Sequence, residues 1–194
     1  GFDAISLRLF PVMDTDIEVM ADAQLQRDIQ NRLAESRLSV FDVEVVRVGP
    51  DTDIEGVKPA LEFAASLGAN RLAVTSLAAD EYDPRDEDAL VRKLADLSEA
   101  AAAHDVGIML EFIPFRGIKS LQHAVAIVSA VGHPGLGITV DALHFYRSGG
   151  TATELAAVDR QLLACAQLCD APSAAPADLP FEARYGRLYP GEGG

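Results

Sequence analysis

The sequence predicts an α/β fold, a (β/α)8 TIM barrel incomplete at both ends, with six strands in view. Three observations predict it. Short apolar, β-branched runs alternate with longer stretches of helical spacing, the pattern of a parallel sheet covered by helices. No glycine-rich phosphate loop follows any run, which weighs against the dinucleotide-binding form of an open doubly wound sheet. A full barrel needs about 250 residues. The 194 residues present are short by about one βα unit at the front and one at the back. Residues 1–194 otherwise read as a single domain with one core.

The strand runs are ISLRLF (5–10), LSVFDVEVVRV (38–48), RLAVTS (71–76), VGIMLEFI (106–113), LGITVDAL (136–143) and LLACAQLC (162–169). Helices lie between them. In 54–67, Val57, Leu61, Phe63 and Ala64 form the apolar stripe, and Leu67-Gly68 supplies a stop. From Asp86 to His104, Leu90, Val91, Leu94 and Leu97 share one face, with Arg92, Lys93, Asp96 and Glu99 on the other. The stretches 118–131 (Leu121, Val125, Ile127, Val128) and 151–163 continue the alternation. The tail 171–194, rich in Pro, Ala and Gly, reads as a long loop after the sixth strand.

Composition narrows the function. The chain is 49% apolar and 24% charged, ordinary for a soluble globular protein. It contains no run of about 18 apolar residues that would span a membrane. GFDAISLRLF lacks the basic and apolar regions of a signal peptide. A formal charge of −14 repels phosphate backbones and anionic lipid. The expected partner is therefore a small molecule, with no nucleic acid and no membrane. Cys165 and Cys169 read as buried free thiols on one strand face, too far apart for a disulfide, in a reducing cytoplasm.

Three polar residues stand where buried strands should be apolar. Glu111 sits between Met109-Leu110 and Phe112-Ile113, Asp141 follows Thr139-Val140, and Gln167 lies between Ala166 and Leu168. A carboxylate so placed suffers a large desolvation cost unless a cation or a hydrogen-bond network answers it. Each falls late in its run, and the C-terminal strand ends form the active sites of α/β barrels. Two carboxylates and an amide oxygen from successive strands are ligands for a hard divalent ion, Mg²⁺ or Mn²⁺ first, with Zn²⁺ or Co²⁺ next. Glu44, in the second run, is either a cavity contact or a partner for Arg8 or Arg47. His144, three residues after Asp141 on a strand running into a loop, is placed beside metal or substrate. His104, His123 and His133 read as surface residues.

The stretch LEFIPFRGIKSLQHAVAIVSAVGHPGLGITVDALHFYRSGG resembles the centre of the xylose isomerase-like TIM barrel family. GFDAISLR is similar to that family's second strand, GANRLAVTS to its fourth, and CAQLCDAP with RYGRLYPGEG to the seventh strand and its loop. The family includes sugar phosphate isomerases and epimerases, inosose dehydratases and 3-dehydroshikimate dehydratases. The resemblance implies one divalent ion held by a Glu, an Asp, a His or Gln, and a last Glu on the eighth strand. Glu111, Asp141 and Gln167 match the first three, and the fourth falls beyond Gly194. Gln167 in place of the commoner His is similar to the dehydratase branch. His144 matches a catalytic position near metal or substrate, and Arg187, before the PGEG turn, one that contacts substrate.

The activity implied is isomerisation or epimerisation of a sugar or sugar-like polyhydroxy carbonyl compound through a metal-stabilised enediolate. Glu111 would be ligand and base, and His144 would polarise a hydroxyl. The alternative is a lyase of the 3-dehydroshikimate or inosose type, with His144 as general acid. A non-catalytic sugar-binding barrel is the third reading. DNA-repair endonucleases share this barrel, but they need many histidine ligands and a basic groove, and four histidines at a charge of −14 argue against that class. Dimers and tetramers are common in the family, so a homo-oligomer is compatible with the resemblance.

Overall fold

The computed structural model describes residues 2–194. All six apolar runs form strands: β1 Ala4–Arg8, β2 Ser39–Val48, β3 Arg71–Ser76, β4 Gly107–Glu111, β5 Leu136–Asp141 and β6 Leu163–Gln167. They build one sheet in the order β1-β2-β3-β4-β5-β6, every neighbouring pair parallel. Strand order equal to chain order belongs to a barrel. An open doubly wound sheet reverses direction at its switch point. The fold is thus six consecutive strands of an incomplete (β/α)8 barrel.

The helices are α1 Ala23–Glu35, α2 Ile54–Ser66, α3 Glu87–Ala102, α4 Leu121–Val131, α5 Ala142–Arg147, α6 Ala152–Ala156 and α7 Leu179–Tyr185. Their ends follow local chemistry. The Asp22 side chain accepts from the backbone N–H of Gln24 and Leu25 at the start of α1, and Ser120 does the same from His123 for α4. After α2 and α4 the chain turns through Gly68 and Gly132, at φ +74° and +64°. A side chain there would be strained, so glycine marks both stops.

Alternation along the strands divides the residues between two environments. Leu72, Val74, Ile108, Leu110, Ile138 and Val140 face the helices and merge with Leu61, Leu94, Leu97, Leu121 and Ile127 into one apolar core. The intervening residues, Thr75, Met109, Glu111, Thr139 and Asp141, point to the barrel interior. The inner strands β3, β4 and β5 are buried almost throughout, while the edge strands β1 and β6 are half-buried.

Five features differ from the sequence expectation. The fifth run stops being a strand at Asp141, because the next six residues wind into α5. The stretch 151–163 is helical only over Ala152–Ala156, followed by one tight turn at Arg160–Leu162. The tail holds α7 and an antiparallel bridge between Asp170 and Leu188. Both cysteines are free but half-buried, and Cys169 lies beyond the strand end. His104, His123 and His133 reach the surface but are half-buried there, not fully exposed. The His133 ring accepts from the Gly135 N–H at 3.0 Å, and His123 bonds the Glu87 carboxylate at 2.5 Å. No helix among the described residues is long and apolar enough to cross a membrane.

The tail is fastened by a buried ion pair. Arg147, at the end of α5, reaches the two carboxylate oxygens of Glu182 in α7 at 2.8 and 2.5 Å, with both side chains 4% exposed. Arg147 also donates to the Pro172 carbonyl at 2.7 Å.

Two stability predictions follow from this packing. Leu94, fully buried between α3 and the sheet, should cost about 2–5 kcal/mol when truncated to Ala, read by denaturant unfolding. The Tyr82 hydroxyl and then His123 hold the Glu87 carboxyl below its ordinary range, with burial opposing. A depressed carboxylate stabilises the fold above its unfolded pKa, and that contribution disappears as pH falls through the folded value. Glu87→Gln should therefore lower the melting temperature at neutral pH, with the difference from wild type shrinking as pH descends through the carboxylate range.

Candidate metal centre

The C-terminal ends of β4, β5 and β6 carry Glu111, Asp141 and Gln167. The ladder sets their common orientation. Glu111 is paired with Thr139, two residues before Asp141, and Asp141 is paired with Gln167. Residues two apart on a strand share a face, so all three side chains emerge on the interior side. Asp141 also caps α5, its Oδ1 accepting the His144 N–H at 3.1 Å. That cap places His144 one helical turn above the strand end and directs its ring back over the barrel. The His144 Nε2 lies 4.0 Å from Glu111 Oε1. Glu111, Asp141 and His144 each offer a ligand atom, all within 4.8 Å of one another.

The surroundings are dry and sparsely neutralised. Asp141 and His144 are 1% and 4% exposed. Phe115 packs edge-on against the His144 ring with centroids 5.9 Å apart. Arg187, from the tail, donates to Asp141 Oδ2 at 2.6 Å and stands 3.4 Å from His144 Nε2. Burial and then the Asp141 charge push the Glu111 carboxyl up to about 8, against the pull of Arg187. Burial pushes the His144 imidazole down to about 4, so the ring is neutral at ordinary pH, the form that ligates metals. The hydroxyls of Thr75 and Thr139, the ladder partners of Glu111 on either side, are buried without a hydrogen-bond partner. One buried and one half-buried carboxylate answered by one guanidinium, with a neutral imidazole and an amide nearby, form a donor set that fits a divalent cation.

Glu111, Gln167, His144, Glu44 and Arg187 all line one cavity of about 330 Å³. Glu44 is both things expected of it as alternatives: it lines the cavity and bonds Arg8 at 3.1 Å, with Arg8 and not Arg47 as its partner. The sequence reading missed Phe115 and Arg116 in the loop after β4, and Arg184 in α7, which line the same space. The only signal for the first two was their position directly after the β4 end, where barrel loops build sites.

The chain has relatives among characterised proteins. It is 26% identical over 146 residues to an inosose isomerase of Bacillus velezensis, across 72% of this chain and 50% of that protein. It is 28% identical over 142 residues to an inosose isomerase of Halalkalibacterium halodurans, across 70% of this chain and 49% of that protein. It therefore spans about half the length of these curated relatives. A solved structure of an IolI protein with a bound zinc atom superposes with a TM-score of 0.81 at 23% identity, over 100% of this chain and 71% of that one. That likeness is one of fold. The sequence profile of the xylose isomerase-like TIM barrel family matches residues 1–193, and the chain belongs to that family.

Proposed function

We propose that this protein is a divalent-metal-dependent isomerase or epimerase acting on a sugar-like polyhydroxy carbonyl compound. The observation that carries the reading is the convergence of Glu111, Asp141 and His144 on one buried point. The half-length likeness to two inosose isomerases supports the reaction class. Glu111, Asp141 and Gln167 would hold the ion, with His144 beside it. Bound there, the ion supplies positive charge where negative charge builds on the substrate carbonyl as the adjacent carbon loses its proton.

The remaining steps belong to the chain's own side chains. Of the two glutamates lining the cavity, Glu44 is held by Arg8. With the ion bound, its charge would keep Glu111 ionised, leaving it to accept the carbon-bound proton at a carboxylate oxygen and to return that proton to the neighbouring carbon. The neutral His144 ring donates its N–H to a substrate hydroxyl and keeps that oxygen oriented. Arg187 bridges Asp141 and His144 and fixes both against rotation. Phe115 packs edge-on against the His144 ring and keeps it turned toward the cavity.

Three measurements test this. Metal analysis of the purified protein should find about one divalent ion per chain, and Asp141→Asn should lose it. In heavy water, an inosose incubated with the protein should take up deuterium at the carbon next to its carbonyl. Glu111→Gln should slow that uptake by about 10²-fold or more. A wild-type protein that holds no divalent ion, or a Glu111→Gln variant of undiminished rate, sinks the proposal. Appearance of a conjugated, ultraviolet-absorbing product in place of an isomer would reassign the reaction to the lyase class.

A further inference from the structure

The cavity carries a charge that a neutral sugar does not explain. Five arginines line it, Arg8, Arg47, Arg116, Arg184 and Arg187, against two glutamates. The chain as a whole has 30 acidic residues to 16 basic ones, so this is a local reversal of sign. Two of the five are spoken for. Arg8 pairs with Glu44 and Asp16, and Arg187 with Asp141. Arg47, Arg116 and Arg184 enter no ion pair among the described residues.

Arg116 is the decisive member. It is 8% exposed, and its Nε is buried with no hydrogen-bond partner. Its backbone is pinned by an N–H bond to the Ile113 carbonyl at 2.9 Å and by a bridge to Ala78. After burial itself, the charges that weigh most on its guanidinium are those of Arg47 and Arg184, both of the same sign, with Glu81 as the smaller opposing one. A buried charge held beside like charges is a cost to folding, and a partner that arrives later can relieve it. Guanidinium groups match the paired oxygens of carboxylates and phosphates, and a fork of this kind presents several donors at once. Arg47 and Arg184 are exposed, so they can swing toward such a group.

We infer that Arg116, flanked by Arg47 and Arg184, anchors an oxyanion on the substrate, so that an anionic polyhydroxy carbonyl compound is preferred over a neutral one such as an inosose. The oxyanion is a carboxylate or a phosphate ester. This deepens the proposed reaction and rests on the same cavity holding its substrate: Glu111 and His144 line it together with Arg116.

Calorimetric titration of the protein with three cyclic polyols tests the inference: myo-inositol, quinate and myo-inositol 1-phosphate. At least one of the two anions should bind about 10-fold or more tightly than myo-inositol. Quinate as the tighter ligand identifies a carboxylate, and the phosphate ester identifies a phosphate. Arg116→Ala should erase that preference, bringing the affinities for the anions down to that for myo-inositol. Should Arg116→Ala not fold, Arg184→Ala and Arg47→Ala, at exposed positions, should each weaken anion binding several-fold. Equal binding of neutral and anionic probes, no measurable anion binding, or indifference of all three variants overturns the inference. Repeating the titration after chelation separates the two readings. An anion preference in a protein that never held a divalent ion keeps the oxyanion anchor and removes the proposed reaction. A bound ion without anion preference does the reverse.

Discussion

Two carboxylates within reach of one another, one buried and one half-buried, are the constraint on which this structure turns. Glu111 and Asp141 are carried there by adjacent strands of a ladder that leaves them no other direction. Negative charges so close repel each other, and partial or full removal from water adds to the penalty. The protein answers with Arg187 on Asp141 Oδ2 and with the His144 N–H on Oδ1, and leaves Glu111 with its proton affinity raised. A site that holds charge under this tension is expensive for the fold and useful for chemistry.

The strand pattern was plain in the sequence because period and burial agree. RLAVTS, GIMLE and LGITVD are apolar on both faces, as strands covered by helices and closed around an interior must be. Glu111, Asp141 and Gln167 stood out against that background, and the structure brings all three to the same end of the sheet. The helix α5 was hidden for a physical reason. Asp141 is at once the last strand residue and the cap of the next helix, so DALHFYR carries no break between the two. The tail looked irregular because proline and glycine surround α7, whose seven residues are too few to show a helical period.

The arginines were the least legible part. They come from β1, β2, the loop after β4, and the last stretch of chain. No local spacing links them, and a net charge of −14 suggests the opposite surface. Net charge describes the average field, whereas a cavity is governed by the few groups that line it. The same contrast applies to Glu44, whose two alternative roles proved compatible because a side chain on a strand near the rim can touch both a neighbour and the open space.

The pair Arg147–Glu182 gives the tail a property beyond attachment. Each partner is almost wholly enclosed, so neither charge can be left behind when the other departs. Separating the pair would strand a buried charge, so undocking α7 carries a cost beyond its lost packing. Arg187 lies only five positions after Glu182 on the same segment, so the enclosed pair that docks α7 also sets where the guanidinium beside Asp141 sits.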